Sequence, residues 1–198
     1  MGTNVLIVRP GMGRHRGIRG GSRQSLKLTD AEAILKDVEG VSQVAPVVNG
    51  SAQIKYFNKN AQVSIMGTSI TYFPIRAFTI EKGRSFTEQE VENTGHVAVL
   101  GPTTVENLFG ENSPLGETIK VKGMNFKVVG VLKSKGDQGW YNPDDQVIIP
   151  YTTAMKQVIG VDYLREIDVQ AKTADLLDTV QAEVEVVLRR THRIPTGG

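Results

Sequence analysis

The hydrophobic pattern at the start of the chain changes from a strand period to a helix period and back. Residues 4–8 form a short β-branched run stopped by a proline, which predicts a buried strand. Apolar positions at helical spacing follow over 34–38, with Thr29 as the predicted N-cap and Glu32 completing a capping box. A return strand over 41–48 then completes a strand–helix–strand unit.

The middle of the chain is rich in predicted strands. Two hairpins are indicated by apolar alternation on both sides of short polar turns, one over 52–66 and one over 118–132. Shorter elements are predicted between and around them: helical turns within 69–78, a helix capped by Thr87 and Glu90, a strand over 97–100 and a helix starting at Pro102.

The last part of the chain returns to alternating strands and helices. A strand over 147–149 precedes a helix opened by Pro150, and a strand over 165–171 precedes an amphipathic helix capped by Thr173. We therefore predict an α+β fold. Residues 1–48 and 146–198 form a mixed α/β part, and residues 49–145 form an inserted β-rich part.

Composition narrows the possible classes of protein. The 198 residues contain no cysteine, which excludes a disulfide scaffold, an iron–sulfur cluster and a cysteine-type zinc site. Residues 1–29 carry six basic side chains and no acidic one, whereas the rest of the chain has 17 basic against 21 acidic residues. A basic segment on a mildly acidic body is not typical of a nucleic-acid-binding protein, so we expect no nucleic-acid partner.

Membrane segments are not indicated within this sequence. No stretch approaches the ~20 apolar residues that a transmembrane helix needs. The sequences at both termini are typical of an excised fragment, and we expect the chain to be part of a longer protein.

A glycine-rich stretch directly follows the first strand. Residues 11–17 contain three glycines and His15, in a pattern close to a phosphate-binding loop. However, the glycine spacing differs by one residue, no helix is predicted to start there, and no acidic residue ends the next strand. A basic surface loop is the favoured interpretation, and its arginines suit anionic lipid headgroups or an acidic partner. A nucleotide-dependent enzyme is the disfavoured alternative.

Candidate catalytic and metal-binding residues are sparse. His15, His96 and His192 are far apart in sequence and form no ligand pair, so we interpret them as surface histidines. Asp144 and Asp145 suggest either a carboxylate pair or a Mg²⁺ site, but they follow Asn142 and Pro143, which favours loop closure. Trp140 and Tyr141 beside them are either buried under that loop or exposed as a contact.

We therefore assign no catalytic, cofactor-binding or metal-binding residue from the sequence. An Asn-Gly-Ser sequence at 49–51 matches a glycosylation acceptor but is equally typical of a turn.

Short segments that match a known family occur in order along the whole chain. They are residues 2–8, 28–34, 41–46, 67–72, 83–86, 97–101, 108–116, 126–131 and 144–154. The longest, 144–154, has the sequence Asp-Asp-Gln-Val-Ile-Ile-Pro-Tyr-Thr-Thr-Ala. In these segments the chain resembles the periplasmic (extracytoplasmic) core domain of MacB-type ABC-transporter permeases, which are related to the FtsX family.

This resemblance implies a porter-like α/β subdomain with an inserted β-rich subdomain, placed outside the cytoplasm in a permease of the inner (plasma) membrane. The implied partners are the flanking transmembrane helices, a second permease subunit and a periplasmic adaptor protein. The leading hypothesis is a non-catalytic domain, with no cofactor, that transmits ATP-driven motion to a partner or an exported substrate. The alternative is a domain that captures a peptide or drug-like ligand in a cleft between the subdomains. Either way, we expect the first strand and the final helix to emerge side by side.

Overall fold

The structure, a computed structural model, describes residues 4–10, 25–136 and 142–192. Its strands are β1 (Val5–Val8), β2 (Val41–Tyr56), β3 (Lys59–Thr68), β4 (Ile80–Gly83), β5 (Val97–Leu100), β6 (Thr118–Val121), β7 (Met124–Leu132), β8 (Gln146–Pro150) and β9 (Glu166–Ala171). Its α-helices are α1 (Leu28–Asp37), α2 (Tyr72–Ile75), α3 (Glu88–Glu92), α4 (Pro102–Phe109), α5 (Tyr151–Thr153) and α6 (Leu177–Thr191). A π-helical segment (Ala154–Val158) continues α5, and a 3₁₀ turn (Ala174–Leu176) precedes α6.

The described strands form one continuous hydrogen-bonded network. They pair in the order β1-β9-β2-β3-β8-β5-β7-β4, and β6 pairs with both β2 and β7. Only the pairs β3–β8 and β5–β7 are parallel among these strands. The predicted α+β class is confirmed.

Strand β2 is shared by two regions of this network. Its residues 41–47 pair with β9, and its residues 48–56 pair with β3. We call the β1, β9 and 41–47 region the terminal sheet, and the 48–56 region with the remaining strands the central sheet. The two regions therefore meet in the middle of one strand.

Helices cover both faces of the terminal sheet. Because successive side chains of a strand point to opposite faces, each strand can contact the helices on both sides. Ile167 and Val169 belong to the large core that includes buried residues of α1 and α6. On the other face, Tyr72 and Ile75 of α2 form a small cluster with Ala45 and Val47 of β2. The acidic residues at alternate positions of β9 consequently face α2.

The start of the π-helical segment after α5 packs very closely against the central sheet. A methyl group added at Gly67 of β3 would lie 2.3 Å from the Cβ atom of Ala154 and 2.7 Å from a methyl of Val48. Only glycine leaves room for this approach. The contact fixes the π-helical segment after α5 against β3.

The prediction that the return strand over 41–48 is separate from the first arm of the hairpin over 52–66 is wrong, because β2 continues through both. The Asn-Gly-Ser segment at 49–51 pairs with Met66, Ile65 and Ser64 of β3, so it is strand and not turn. Cross-strand pairing supplies hydrogen bonds that outweigh the local turn preference.

Two predicted helix caps also differ from the structure. Helix α1 begins at Leu28, and the carboxylate of Asp30, not the side chain of Glu32, accepts a hydrogen bond from the N-cap amide of Lys27 at 2.8 Å. A β-bridge between Leu26 and Leu164 fixes the chain just before this point, which sets the earlier start. The predicted cap Thr173 precedes the 3₁₀ turn and makes no side-chain capping bond.

The division into residues 1–48 plus 146–198 and residues 49–145 stays a prediction. Strand pairing places β8 between β3 and β5, inside the central sheet. We propose that the inserted part extends through β8 and that the boundary on the N-terminal side falls within β2.

The two ends of the described chain make contacts in the terminal layer, on either side of α1. Asn4 donates a side-chain hydrogen bond to the carbonyl of Ala171, which pairs with Val41 just after α1. His192 lies beside Asp30 at the start of α1. Arg190 in the last turn of α6 also pairs with Asp37 at the other end of α1. The expectation that the first strand and final helix emerge side by side therefore stays a prediction.

Candidate functional site

A cleft of about 550 Å³ opens between the terminal and central sheets. Its apolar lining includes Val47 of β2, Met66 of β3, Tyr72 of α2 and the nearby Phe78. Its charged lining consists of Arg9, Arg76, Lys135, Arg165 and Glu166. The volume is in the range of small-molecule sites in proteins.

Arg76 connects the central part of the chain to the terminal sheet at this cleft. Its Nε atom donates to Oδ2 of Asp168 at 2.7 Å, and its guanidinium also lies 3.3 Å from Oε2 of Glu166. Asp168 has no solvent exposure, and Glu166 is also buried. Helix α2 ends just before Arg76, so the helix packing against β2 brings the guanidinium to β9.

The two buried carboxylates share this guanidinium, and their charges are not fully offset by it. Burial raises the pKa of Asp168 to about 8, and neighbouring Glu166 adds to this rise, although Arg76 acts in the opposite direction. Asp168 Oδ1 has no hydrogen-bond partner among the described residues. An unpartnered oxygen in a buried position is more stable protonated than charged, so Asp168 retains its proton near neutral pH.

Lys135 adds a second partly buried cation beside Arg76. Its Nζ donates to the carbonyl oxygen of Arg76 at 2.6 Å and lies 4.1 Å from the ring centroid of Phe78. Burial lowers the pKa of Lys135, and the positive charge of Arg76 lowers it further. Two cations therefore lie close together at the edge of an aromatic surface.

Asp144 fixes the segment that carries Lys135. Its carboxylate accepts hydrogen bonds from the Ser134 hydroxyl at 2.5 Å, the Lys135 amide at 2.7 Å and the Gly136 amide at 3.1 Å. Burial opposes its ionisation, but these hydrogen bonds together lower the pKa of Asp144. Asp145 instead accepts a hydrogen bond from Thr104 at 2.9 Å. This geometry agrees with the loop-closing interpretation of the two acids.

The described histidines both make contacts that hold elements together. The His96 ring stacks on Phe126 with centroids 4.7 Å apart and lies 2.5 Å from the amide oxygen of Gln157. His192 contacts Asp30 at 2.9 Å, which joins the end of α6 to the start of α1. Within the described ranges no group of three or more potential ligand residues could hold a metal ion.

Some predicted candidates lie outside the described residues. These are the glycine-rich stretch 11–17 with His15, and the aromatic pair Trp140 and Tyr141.

The residues of the cleft were not singled out from the sequence. One signal was available: Glu166 and Asp168 alternate with Ile167 and Val169 in a strand whose apolar face is clearly buried. Two acids on the opposite face of such a strand indicate either a solvated surface or a buried charge cluster. Pattern alone does not distinguish these cases, and nothing in the sequence identifies Arg76 as the partner.

A second, smaller cavity has the opposite charge. It measures about 330 Å³ and is lined by α1, α3 and α5 together with part of β2. Its charged residues are Glu32, Glu88 and Glu92. The charged residues given for these two cavities are thus predominantly basic in the first and acidic in the second.

Fold and site together define an α+β domain of two sheet regions joined through a shared strand, with a charged cleft between them. The family model for the MacB-like periplasmic core domain matches residues 1–187. A macrolide export ATP-binding/permease protein MacB from Bdellovibrio bacteriovorus is 36% identical over 197 residues, covering 98% of this chain. The corresponding protein from Chlorobium luteolum is 37% identical over 204 residues, covering the whole chain. The chain spans only 30% of the length of each relative.

Two solved structures share the fold. The extracellular domain of the ABC-type transporter YknZ from Gram-positive bacteria superposes with a TM-score of 0.79 at 21% identity, covering 95% of each chain. The periplasmic region of MacB from Actinobacillus actinomycetemcomitans gives a TM-score of 0.75 at 22% identity, covering 99% of this chain and 95% of that one.

The chain therefore belongs to the MacB-like periplasmic core domain family. The resemblance inferred from the sequence is confirmed. Among the helices of the described residues, none has the length and apolar character required to cross a membrane.

Proposed function

We propose that this chain is the extracytoplasmic domain of an ABC-transporter permease subunit of the inner membrane, and that it transmits motion rather than catalysing a reaction. In this proposal, ATP hydrolysis in a separate cytoplasmic module moves the flanking transmembrane helices. The domain passes that motion to a periplasmic adaptor protein or an exported substrate. A second permease subunit completes the transporter.

The observation that carries this proposal is the shared strand β2. A displacement of the terminal sheet acts directly on the central sheet, because residues 41–47 and 48–56 belong to one uninterrupted strand. Hydrogen bonds between side chains and backbone strengthen the junction: Thr68 Oγ1 donates to the Pro46 carbonyl at 2.8 Å, and Thr71 Oγ1 donates to the Val44 carbonyl at 2.6 Å. Close packing of this kind moves as a rigid body.

A matched pair of substitutions tests transmission through the junction. Thr68 and Thr153 are both fully buried, and each donates to a backbone carbonyl at 2.8 Å. Thr68 lies at the junction, whereas Thr153 of α5 bonds to Gly95 within the central part. Thr68→Val and Thr153→Val should each cost about 1 kcal/mol of stability, since each removes one hydrogen bond.

The two variants should differ in transport. For this test, the chain replaces the matching region of the Bdellovibrio relative. Macrolide export and ATP hydrolysis are then measured in membranes that contain the chimera. We expect Thr68→Val to lower export per ATP hydrolysed by about fivefold, the lower end of usual coupling between sites. Thr153→Val should leave this ratio unchanged. Equal ratios in both variants would show that the junction does not transmit motion.

A second candidate function is ligand capture in the cleft between the two sheets. It is favoured by the cavity of about 550 Å³ with convergent charged groups on an apolar surface. Thermal-shift measurements with peptides and macrolides test it. A rise in Tm that is lost in cleft variants supports capture, and the absence of any shift across the ligand set argues against it.

A further inference from the structure

The cleft between the sheets has an excess of positive charge. Among the described residues, four cationic side chains line it together with one acid, Glu166. The other acid of the cluster, Asp168, lies fully buried behind this surface. Because Asp168 is protonated near neutral pH, it does not offset the positive charge of the lining.

One of these cations has its charge uncompensated by neighbouring side chains. No hydrogen bond or ion pair joins the exposed guanidinium of Arg165 to another part of the described chain, although its backbone amide bonds to Val47. The ammonium group of Lys135 contacts a neutral carbonyl and an aromatic ring, and it experiences the like charge of Arg76. An anion placed between these groups would relieve their repulsion.

The apolar surface beside these cations offers contacts that a simple inorganic ion would not use. Phe78, Met66 and Val47 line the same cleft, and Lys135 lies against the ring of Phe78. A cavity of about 550 Å³ is much larger than an inorganic anion requires. The lining therefore suits a molecule with a charged head and an apolar body.

We propose that the cleft binds a small amphipathic anion, with its carboxylate or phosphate head between Lys135 and Arg165 and its apolar body along Phe78 and Met66. Arginine suits such heads because its planar donors match two oxygen atoms at once. The acidic lining of the second cavity, at Glu32, Glu88 and Glu92, disfavours the same ligand there. This inference rests on the second candidate function, capture in the cleft, and names the class of ligand.

Calorimetry on the 198-residue chain tests the inference with probes that differ only in the head. Decanoate and decyl phosphate carry an anionic head, decyltrimethylammonium a cationic head and decyl maltoside a neutral one, all below the concentration at which they form micelles. Inorganic phosphate supplies the head without the chain. We expect the two anionic probes to bind at least about tenfold more tightly than each of the others, as expected for one charge-assisted hydrogen bond.

Variants then locate the binding. Lys135→Gln combined with Arg165→Gln should weaken decanoate binding by about tenfold or more, while Lys133→Gln leaves it unchanged. Lys133 is the matched control because it lies two residues from Lys135, is exposed and is not part of the cleft lining. Circular dichroism and Tm confirm that each variant is folded.

The outcomes separate this inference from the function on which it rests. Equal affinity for all decyl probes, lost in a Met66→Asp variant, would keep capture in the cleft but overturn the anionic class. Anion binding that is unaffected by the Lys135 and Arg165 substitutions would place the ligand elsewhere and overturn the site. If no probe binds at all, the inference fails, whereas capture of peptides or macrolides is decided by the thermal-shift measurements and motion transmission by the Thr68 and Thr153 pair.

Discussion

Arg76 and Asp168 are separated by 92 positions in the sequence, yet Nε of the first donates to Oδ2 of the second at 2.7 Å. The arginine follows α2, which is connected to the central sheet, and the aspartate lies on the terminal sheet. Because the carboxylate is fully buried, the pair is shielded from solvent on its acidic side. This hydrogen bond therefore joins the two sheet regions in addition to the shared strand β2.

Removal of the guanidinium should be strongly destabilising. We expect Arg76→Gln to lower the free energy of unfolding by about 3 kcal/mol, because it leaves buried Glu166 without its cation and buried Asp168 without its hydrogen-bond donor. Urea denaturation measures this loss. Arg84→Gln is the control, since Arg84 pairs with Glu90 at 2.8 Å but is about half exposed, and its loss should cost about 1 kcal/mol or less. Equal losses in the two variants would contradict the assigned role of Arg76.

Stability should depend on pH through Asp168. Burial, followed by Glu166, raises the pKa of this group to about 8, above its value near 4 in an unfolded chain. Between these values the folded protein holds a proton that the unfolded chain has released. The free energy of unfolding therefore falls as the pH rises from about 4 to about 8.

Asp168→Asn isolates this contribution, because asparagine resembles the protonated acid in shape and does not ionise. Denaturation at several pH values should show a smaller decline from pH 4 to pH 8 in the variant than in the wild type. Glu90 and Asp144 have lowered pKa values, so their contributions are lost only at more acidic pH. Parallel pH profiles for the two proteins would exclude Asp168 as the source.

The close approach of α5 to β3 predicts an unequal response of two glycines. Gly67→Ala would place a methyl group 2.3 Å from Ala154, and we expect a loss of about 2 kcal/mol from overpacking. Gly50→Ala is the matched control in the paired strand, where the nearest atom is 3.2 Å away on the flexible side chain of Ile159. It should change stability by about 0.5 kcal/mol or less. Thermal unfolding distinguishes the two, and similar values would indicate that α5 shifts freely.

Local features of the fold were predictable from the sequence because a few neighbouring residues determine them. The capping box of α3 is an example: Thr87 accepts from the Glu90 amide at 3.1 Å, and Glu90 accepts from the Thr87 amide at 2.8 Å. The four-residue run of β5 is buried at every position, as a short continuous apolar run indicates.

The features that build the cleft depend on partners that are distant in sequence. Whether residues 49–51 turn or continue as strand is decided by β3, whose pairing is a tertiary property. Likewise, the acids of β9 become a cluster only because α2 delivers Arg76 to that face. Periodicity identifies a polar face but not what covers it, so the site could not be predicted from the sequence.

The adjacent acids Asp144 and Asp145 provide a test that separates a structural from a catalytic role. Asp144 accepts three hydrogen bonds around Lys135, and its loss would leave the Ser134 hydroxyl and the Lys135 amide without this acceptor. We expect Asp144→Ala to cost about 2 kcal/mol and Asp145→Ala, which removes one bond from Thr104, about 1 kcal/mol. Chemical denaturation measures both. Because Asp144 positions Lys135 in the cleft, Asp144→Ala should also weaken decanoate binding, whereas Asp145→Ala should not.

A hydrolytic activity that is lost in either variant without a loss of stability would contradict the structural role and indicate a catalytic role for that acid.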